Sequence, residues 1–379
     1  MTCRRAVIPA LLGALLITLL LWWAGASAQA LNLPGATRVF DGQSAGELRR
    51  WLTPWSYDPA TALPYDGPAD AGTSGGAALS ADTQYADLYR TAMQIRFLAV
   101  FLFFLAGALL LIRRIPPTQR RTPATLLALW AWGPVAATLA VTVSAPWLIA
   151  SRGHGSYRVL PQLAEVIASS GPAVVAVALL TAVLTVLVAR VTAKDADPQP
   201  RRSAPPRAAR SAATAGTAVI ALSLVVLSYE PVAARIQTWF SGAGLLSEPG
   251  DLLRQWLLLG SWTGPSTTPP GHWLLYRAAD VVMLAVVWWA LRLLPGLLTR
   301  ATVPAMAAGA VCATVLGLLA SQVLHMVMDD TVSAWGPVYL FSGLGAGVPA
   351  ALTFGVAAGM AALATLRLTG GRDAGASPR

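Results

Sequence analysis

Few side chains in this chain have the type and spacing to do chemistry. Arg90 follows Asp87 by three residues, and Asp280 follows Arg277 by three. That spacing puts each acid and its base on one helix face, within reach of each other. Both arginines end the same tripeptide, Leu88-Tyr89-Arg90 and Leu275-Tyr276-Arg277. Two guanidinium groups brought together would favour a carboxylate or a phosphate. The plainer role is that both mark helix starts and snorkel to a membrane interface. Arg90, Arg277, Asp87 and Asp280 form the candidate ligand-binding set. Asp280 lies just inside an apolar segment, where an acid is costly and is a functional candidate by default. Pairing with Arg277 is the simpler account of it.

His325, Asp329 and Asp330 form a second polar cluster. His and Asp four residues apart can ligate a metal. No His-Glu-x-x-His or comparable spacing accompanies them, and the other histidines are only His154 and His272. Ordinary loop polarity is therefore the expectation, with no metal and no other cofactor. Gly343-Leu344-Gly345-Ala346-Gly347 has the glycines of a nucleotide loop but no strand before it. Gly343/Gly347 and Gly355/Gly359 have the small-xxx-small spacing of close helix packing. Walker A and Cys-x-x-Cys motifs are absent. No reaction is assigned, and the expectation is a non-catalytic protein.

The elements that carry these residues are apolar. The 379 residues are 55% hydrophobic and 12% charged, with mean hydropathy +0.59. Soluble domains carry about 25% charged residues. The net charge of +10 is spread over short loops between apolar segments, which argues against a nucleic-acid partner. Lys194 is the single lysine among 27 basic residues, a bias that points to a GC-rich bacterial genome. Cys3 lies in the N-terminal tail and Cys312 in the middle of an apolar span, too far apart for a disulfide.

A helix crosses a bilayer with about 20 apolar residues. Eight segments qualify: 6–25, 94–112, 124–150, 171–191, 212–229, 278–295, 302–324 and 345–366. The fold class is thus an all-α integral membrane protein. Gly133-Pro134 predicts a kink or tilt in the third span. With the N-terminus inside, the inner pieces hold 17 positive and three negative charges, and the other side ten positive and 14 negative. Every short loop then obeys the positive-inside rule. Both termini are expected in the cytoplasm of a bacterial plasma membrane protein. Trp22, Trp23, Trp51, Trp55, Trp147, Trp239, Trp256, Trp262, Trp273 and Trp335 fall near the outer interface, where amphipathic rings collect. Residues 1–30 also carry the Arg4-Arg5, apolar run and Ala-x-Ala pattern of a signal peptide. The 18-residue run from Ala6 to Trp23 exceeds a typical signal core and favours an uncleaved anchor. Cleavage would leave seven spans.

The two halves match in order. Besides the Leu-Tyr-Arg pair, Gly46-Glu47-Leu48 with Arg50-Trp51 corresponds to Gly250-Asp251-Leu252 with Arg254 and Trp256, and Arg190 to Arg367. The separation between matches shrinks steadily, as in a duplication whose second copy has shorter loops. The expected organisation is two parallel four-helix repeats. The first is 1–191, with a long outer loop 26–93; the second is 212–368, with outer loop 230–277. A flexible Pro/Arg-rich cytoplasmic linker, 192–211, joins them, and 369–379 is a disordered cytoplasmic tail. Residues 249–259 read as a short interfacial helix capped by Ser247, with Gly46–Trp55 as its counterpart.

Two functions follow. The first is a protein that assembles with or regulates other cell-envelope components through its outer loops. The second is a transporter of a small solute or lipid-like molecule. The partners expected are the lipid bilayer and either another envelope protein or further copies of this chain.

Overall fold

The computed structural model describes residues 3–28, 30–32, 42–57, 75–115, 121–151, 159–193, 205–239, 253–254, 256–260, 262–328 and 336–375. Among them are eight helices long and apolar enough to cross a membrane: Ala6–Ser27, Ala86–Arg114, Thr122–Ala150, Ser170–Thr192, Pro206–Leu227, Pro270–Leu297, Val303–Met328 and Gly343–Thr369. Each coincides with an expected span. No strand occurs among the described residues. Helices are the natural outcome, because a backbone without water around it must bond to itself.

The helices of the first half are α1 (Cys3–Ser27), α2 (Gly42–Leu52), α3 (Gly75–Arg114), α4 (Thr122–Ala150) and α5 (Val159–Ala193). Those of the second half are α6 (Pro206–Leu222), α7 (Glu230–Thr238), α8 (Pro270–Leu297), α9 (Val303–Met328) and α10 (Gly336–Gly375). A 3₁₀ turn, Thr53–Trp55, follows α2, and one π-helical stretch, Ser223–Leu227, continues α6. Helix α4 runs unbroken through Pro134 and Pro146.

Both flanking helices extend into the 192–211 segment: α5 reaches Ala193 and α6 starts at Pro206. Proline fits the first helical turn because its missing N–H has no partner to lose there. The alanines after it are strong helix formers, and Ala208, Ala212 and Ala213 are buried. The middle of the segment, 194–204, lies outside the described residues.

Helices α1, α3, α4 and α5 close a ring in which each packs on the next and α5 returns to α1. Helices α6, α8, α9 and α10 close a second ring in the same order. The rings meet through α4 and α5 on one side and α9 and α10 on the other. Small residues permit this approach. A Cβ added to Gly171 of α5 would stand 2.5 Å from the Cα of Gly345 in α10. The small-xxx-small stripe packs α10 on α9: a Cβ at Gly359 would lie 2.6 Å from the Ala307 Cα. Polar groups inside the rings find partners on neighbouring helices, as buried indoles must. Trp130 Nε1 donates to the Val175 carbonyl and Trp132 Nε1 to the Phe103 carbonyl, both at 3.0 Å. Cys312 is buried, its thiol 3.3 Å from the Ala128 carbonyl it donates to.

The rings have two unlike ends. At the Arg-rich end, Arg121 donates to the carbonyls of Leu297 and Gly296 at 2.9 and 3.1 Å, and the Thr299 N–H donates to the Arg114 carbonyl at 3.0 Å. A cation there satisfies the last carbonyls of α8. The opposite end, the loop end, carries the long connections.

Candidate functional site

The loop end holds one arginine–tryptophan contact in each ring. In the first ring the tryptophan is Trp55, at the end of the turn that follows α2. Its side chain has no exposed surface. The turn packs against α1, α2 and α5. Gly25 of α1 makes room for it, since a Cβ at that position would overlap the Trp55 carbonyl, 1.9 Å away. Trp55 Nε1 donates to the Ser170 carbonyl at 3.2 Å, and Tyr89 Oη donates to the Ser56 carbonyl at 2.8 Å.

Arg96 reaches this turn from α3. It is 1% exposed. Its Nε donates to Ser144 Oγ at 3.0 Å and its Nη1 to the Pro54 carbonyl, while its guanidinium carbon lies 5.9 Å from the Trp55 ring centre. Phe97 completes the cluster, stacked on Tyr57 at 5.6 Å and tilted against Trp55 at 6.1 Å. Burial pushes the Tyr57 phenol above its ordinary value. A buried guanidinium persists only when hydrogen-bonded. Here it pins a loop segment into the mouth of a helix ring.

In the second ring Arg277 of α8 lies under Trp262, with its guanidinium carbon 3.7 Å from the ring centre. That is close cation–π contact. The Trp262 backbone is held on both sides: its N–H donates to the Ser228 carbonyl at 2.8 Å, and the Glu230 N–H donates to the Trp262 carbonyl at 3.2 Å. Trp273 Nε1 donates to the Thr263 carbonyl at 2.9 Å. The π-helical stretch opens α6 towards this loop, and Ser223 Oγ donates to the Leu257 carbonyl at 3.0 Å. Such π-segments often mark functional positions.

The sequence-derived candidates separate into two environments. Arg90 and Asp87 are 3.4 Å apart with side chains 64% and 74% exposed. Arg277 and Asp280 are 2.8 Å apart and 14% and 19% exposed. Arg90 and Arg277 each pair within their own helix, and those helices, α3 and α8, have different principal neighbours. His325 of α9 lies beside the second pair's segment of α8: its ring centre is 5.3 Å from that of Tyr276. Asp329 and Asp330 lie outside the described residues, as do His154 and Ser247. Of the expected helix 249–259, residues 253–254 and 256–257 are described and helical. Its counterpart over Gly46–Trp55 is helix α2 with the turn after it. Among the described residues no group of three or more His, Cys, Asp or Glu could hold a metal.

Arg96 and Trp55 form a buried contact that composition passed over. Arg96 sits only two positions into the 94–112 apolar segment, where an arginine reads as an interface residue. Trp55 reads as one of many interfacial tryptophans. The available signal was an arginine inside a span, six residues after Arg90, with a Trp-bearing turn upstream.

No protein-family model, no curated protein and no solved structure matches the chain.

Proposed function

We propose that this chain is a non-catalytic multi-pass protein of the bacterial plasma membrane that assembles with or regulates other cell-envelope components. The loop end faces outward and both termini lie in the cytoplasm, as the positive-inside rule directs. The observation that carries the reading is the anchoring of both long connections. Arg96 with Trp55, and Arg277 with Trp262, fix loop segments onto the two helix rings. Loops held this way present a preformed surface, which lowers the entropic cost of docking a partner. The same contacts occupy the outward mouths of the rings, and the Gly171–Gly345 approach closes the space between them. Both features favour assembly over solute passage.

The two rings are parallel repeats of one four-helix unit, 1–191 and 212–368. Their identical packing order supports this. So do two further matches: Pro172 and Pro349 stand as far apart as Arg190 and Arg367, and Pro123 and Pro304 both sit at the start of a third span.

A transporter is the second reading, and the half-buried Arg277–Asp280 pair favours it. Crosslinking in native membranes, followed by purification and mass analysis, separates the two. A stoichiometric protein partner supports assembly. A lone monomer or homo-oligomer overturns it in favour of transport.

A further inference from the structure

The two loop-end contacts are chemically unlike. Arg96 of the first ring donates to a serine hydroxyl and a backbone carbonyl. Arg277 of the second ring is matched by a carboxylate on its own helix, and its neighbour Tyr276 lies against the His325 imidazole, ring centres 5.3 Å apart. Three polar atoms of this second cluster are buried and make no hydrogen bond: Arg277 Nε, Asp280 Oδ2 and His325 Nε2. The Arg277–Asp280 contact at 2.8 Å is an ion pair whose angles leave the hydrogen-bonding capacity of Oδ2 unused. Buried polar atoms left unpaired are costly, and native proteins keep them where they serve a purpose.

The set defines its complement. Arg277 Nε is a donor only, Asp280 Oδ2 an acceptor only, and the His325 nitrogen either, according to its tautomer. A ligand that satisfies them carries an anionic or carbonyl oxygen next to an N–H donor. The cluster is neutral with His325 uncharged, so a ligand of net charge would bring an uncompensated charge into a half-buried site. A zwitterion does not. The pair's side chains are 14% and 19% exposed, so the cluster borders the surface, although the three unpaired atoms themselves are covered. Trp262 and Tyr276 supply aromatic surface beside it.

We infer that Arg277, Asp280 and His325 form a binding site for a zwitterion that pairs a primary ammonium with an anionic oxygen. The ammonium donates to Asp280 Oδ2, and the oxygen accepts from Arg277 Nε. This inference is independent of the assembly reading. Two sources offer that chemistry: a free amino acid, or the phosphoethanolamine headgroup of a bilayer lipid.

The purified full-length chain in detergent is heated with L-alanine, glycerophosphoethanolamine or glycerophosphocholine, each of no net charge, and its melting temperature is recorded. Glycerophosphocholine has a quaternary ammonium that cannot donate to Asp280, so it is the control. Stabilisation by glycerophosphoethanolamine alone assigns a lipid headgroup, and native mass spectrometry then shows retained phosphatidylethanolamine. Stabilisation by alanine assigns a free solute. Asp280→Asn weakens binding roughly tenfold, the effect of losing one hydrogen bond to a charged group. If neither zwitterion shifts the wild-type chain, or glycerophosphocholine shifts it equally, the inference is overturned, whatever the variant does.

Discussion

Replacing Trp55 by alanine should free the first loop-end turn while leaving the helix ring assembled. Trp55 is fully buried, and truncating a buried Trp costs about 3–5 kcal/mol. Loss of the cation–π contact with Arg96 adds about 0.5–2 kcal/mol. Ring packing does not depend on the turn, because α1, α3, α4 and α5 contact one another directly. The probe is Ser56→Cys, next to Trp55 and itself buried, in a Cys3→Ser background, labelled with a membrane-impermeant maleimide. Each 1.4 kcal/mol is tenfold in the open population, so Trp55→Ala should speed labelling by roughly two and a half to five orders of magnitude. Trp55→Phe keeps a ring and loses the bond to the Ser170 carbonyl at 3.2 Å, so it should speed labelling about fivefold, the effect of one neutral hydrogen bond. If Ser56→Cys labels as fast with Trp55 present as without it, the turn is not anchored, and the reasoning about preformed loops fails.

Further outcomes follow from the same contacts. Gly171→Leu sets a side chain against the Gly345 backbone, 2.5 Å from its Cα, so the rings must separate there. Thermal denaturation should show a loss of about 3 kcal/mol or more, and Gly46→Ala, with nothing within 4 Å, should stay within about 0.5 kcal/mol of wild type. Double-mutant cycles should give Arg90–Asp87, mostly exposed, a coupling below about 1 kcal/mol. Arg277→Gln alone should destabilise the second ring by about 3 kcal/mol, because it leaves Asp280 half-buried and unpaired. Burial raises the Tyr57 phenol, so its stabilising contribution is complete below the ordinary tyrosine value and is lost as pH climbs through the raised one. A difference absorbance titration against Tyr57→Phe should therefore show Tyr57 ionising later than a free tyrosine.

The spans were legible because hydrocarbon imposes length and apolarity on every crossing segment, and these constraints act locally along the chain. The small-xxx-small stripe was legible for a related reason: a helix repeats its face at a fixed interval, so Gly355 and Gly359 meet α9 as their spacing implies. The loop-end contacts were not. Trp55 and Arg96 are 41 residues apart, and nothing in either neighbourhood says that the turn folds back into the ring. Arg277 and Asp280 pair locally and could be read, whereas the arrival of His325 and Trp262 depends on tertiary packing. Helix α6 begins inside the 192–211 segment because Pro and Arg lower hydropathy without preventing a helical turn. The π-helical stretch has no sequence signature. It is visible only where the Ser228 N–H bonds the Ser223 carbonyl at 3.2 Å.

The assembly reading is tested most directly by a photo-crosslinking amino acid placed at each end of the molecule. Trp239, 75% exposed at the loop end, and Leu368, 70% exposed at the Arg-rich end, are suitable positions. The expected result is a protein adduct of discrete mass from position 239 and none from 368. Adducts from 368 alone, or only lipid adducts from both, would contradict an outward-facing docking surface.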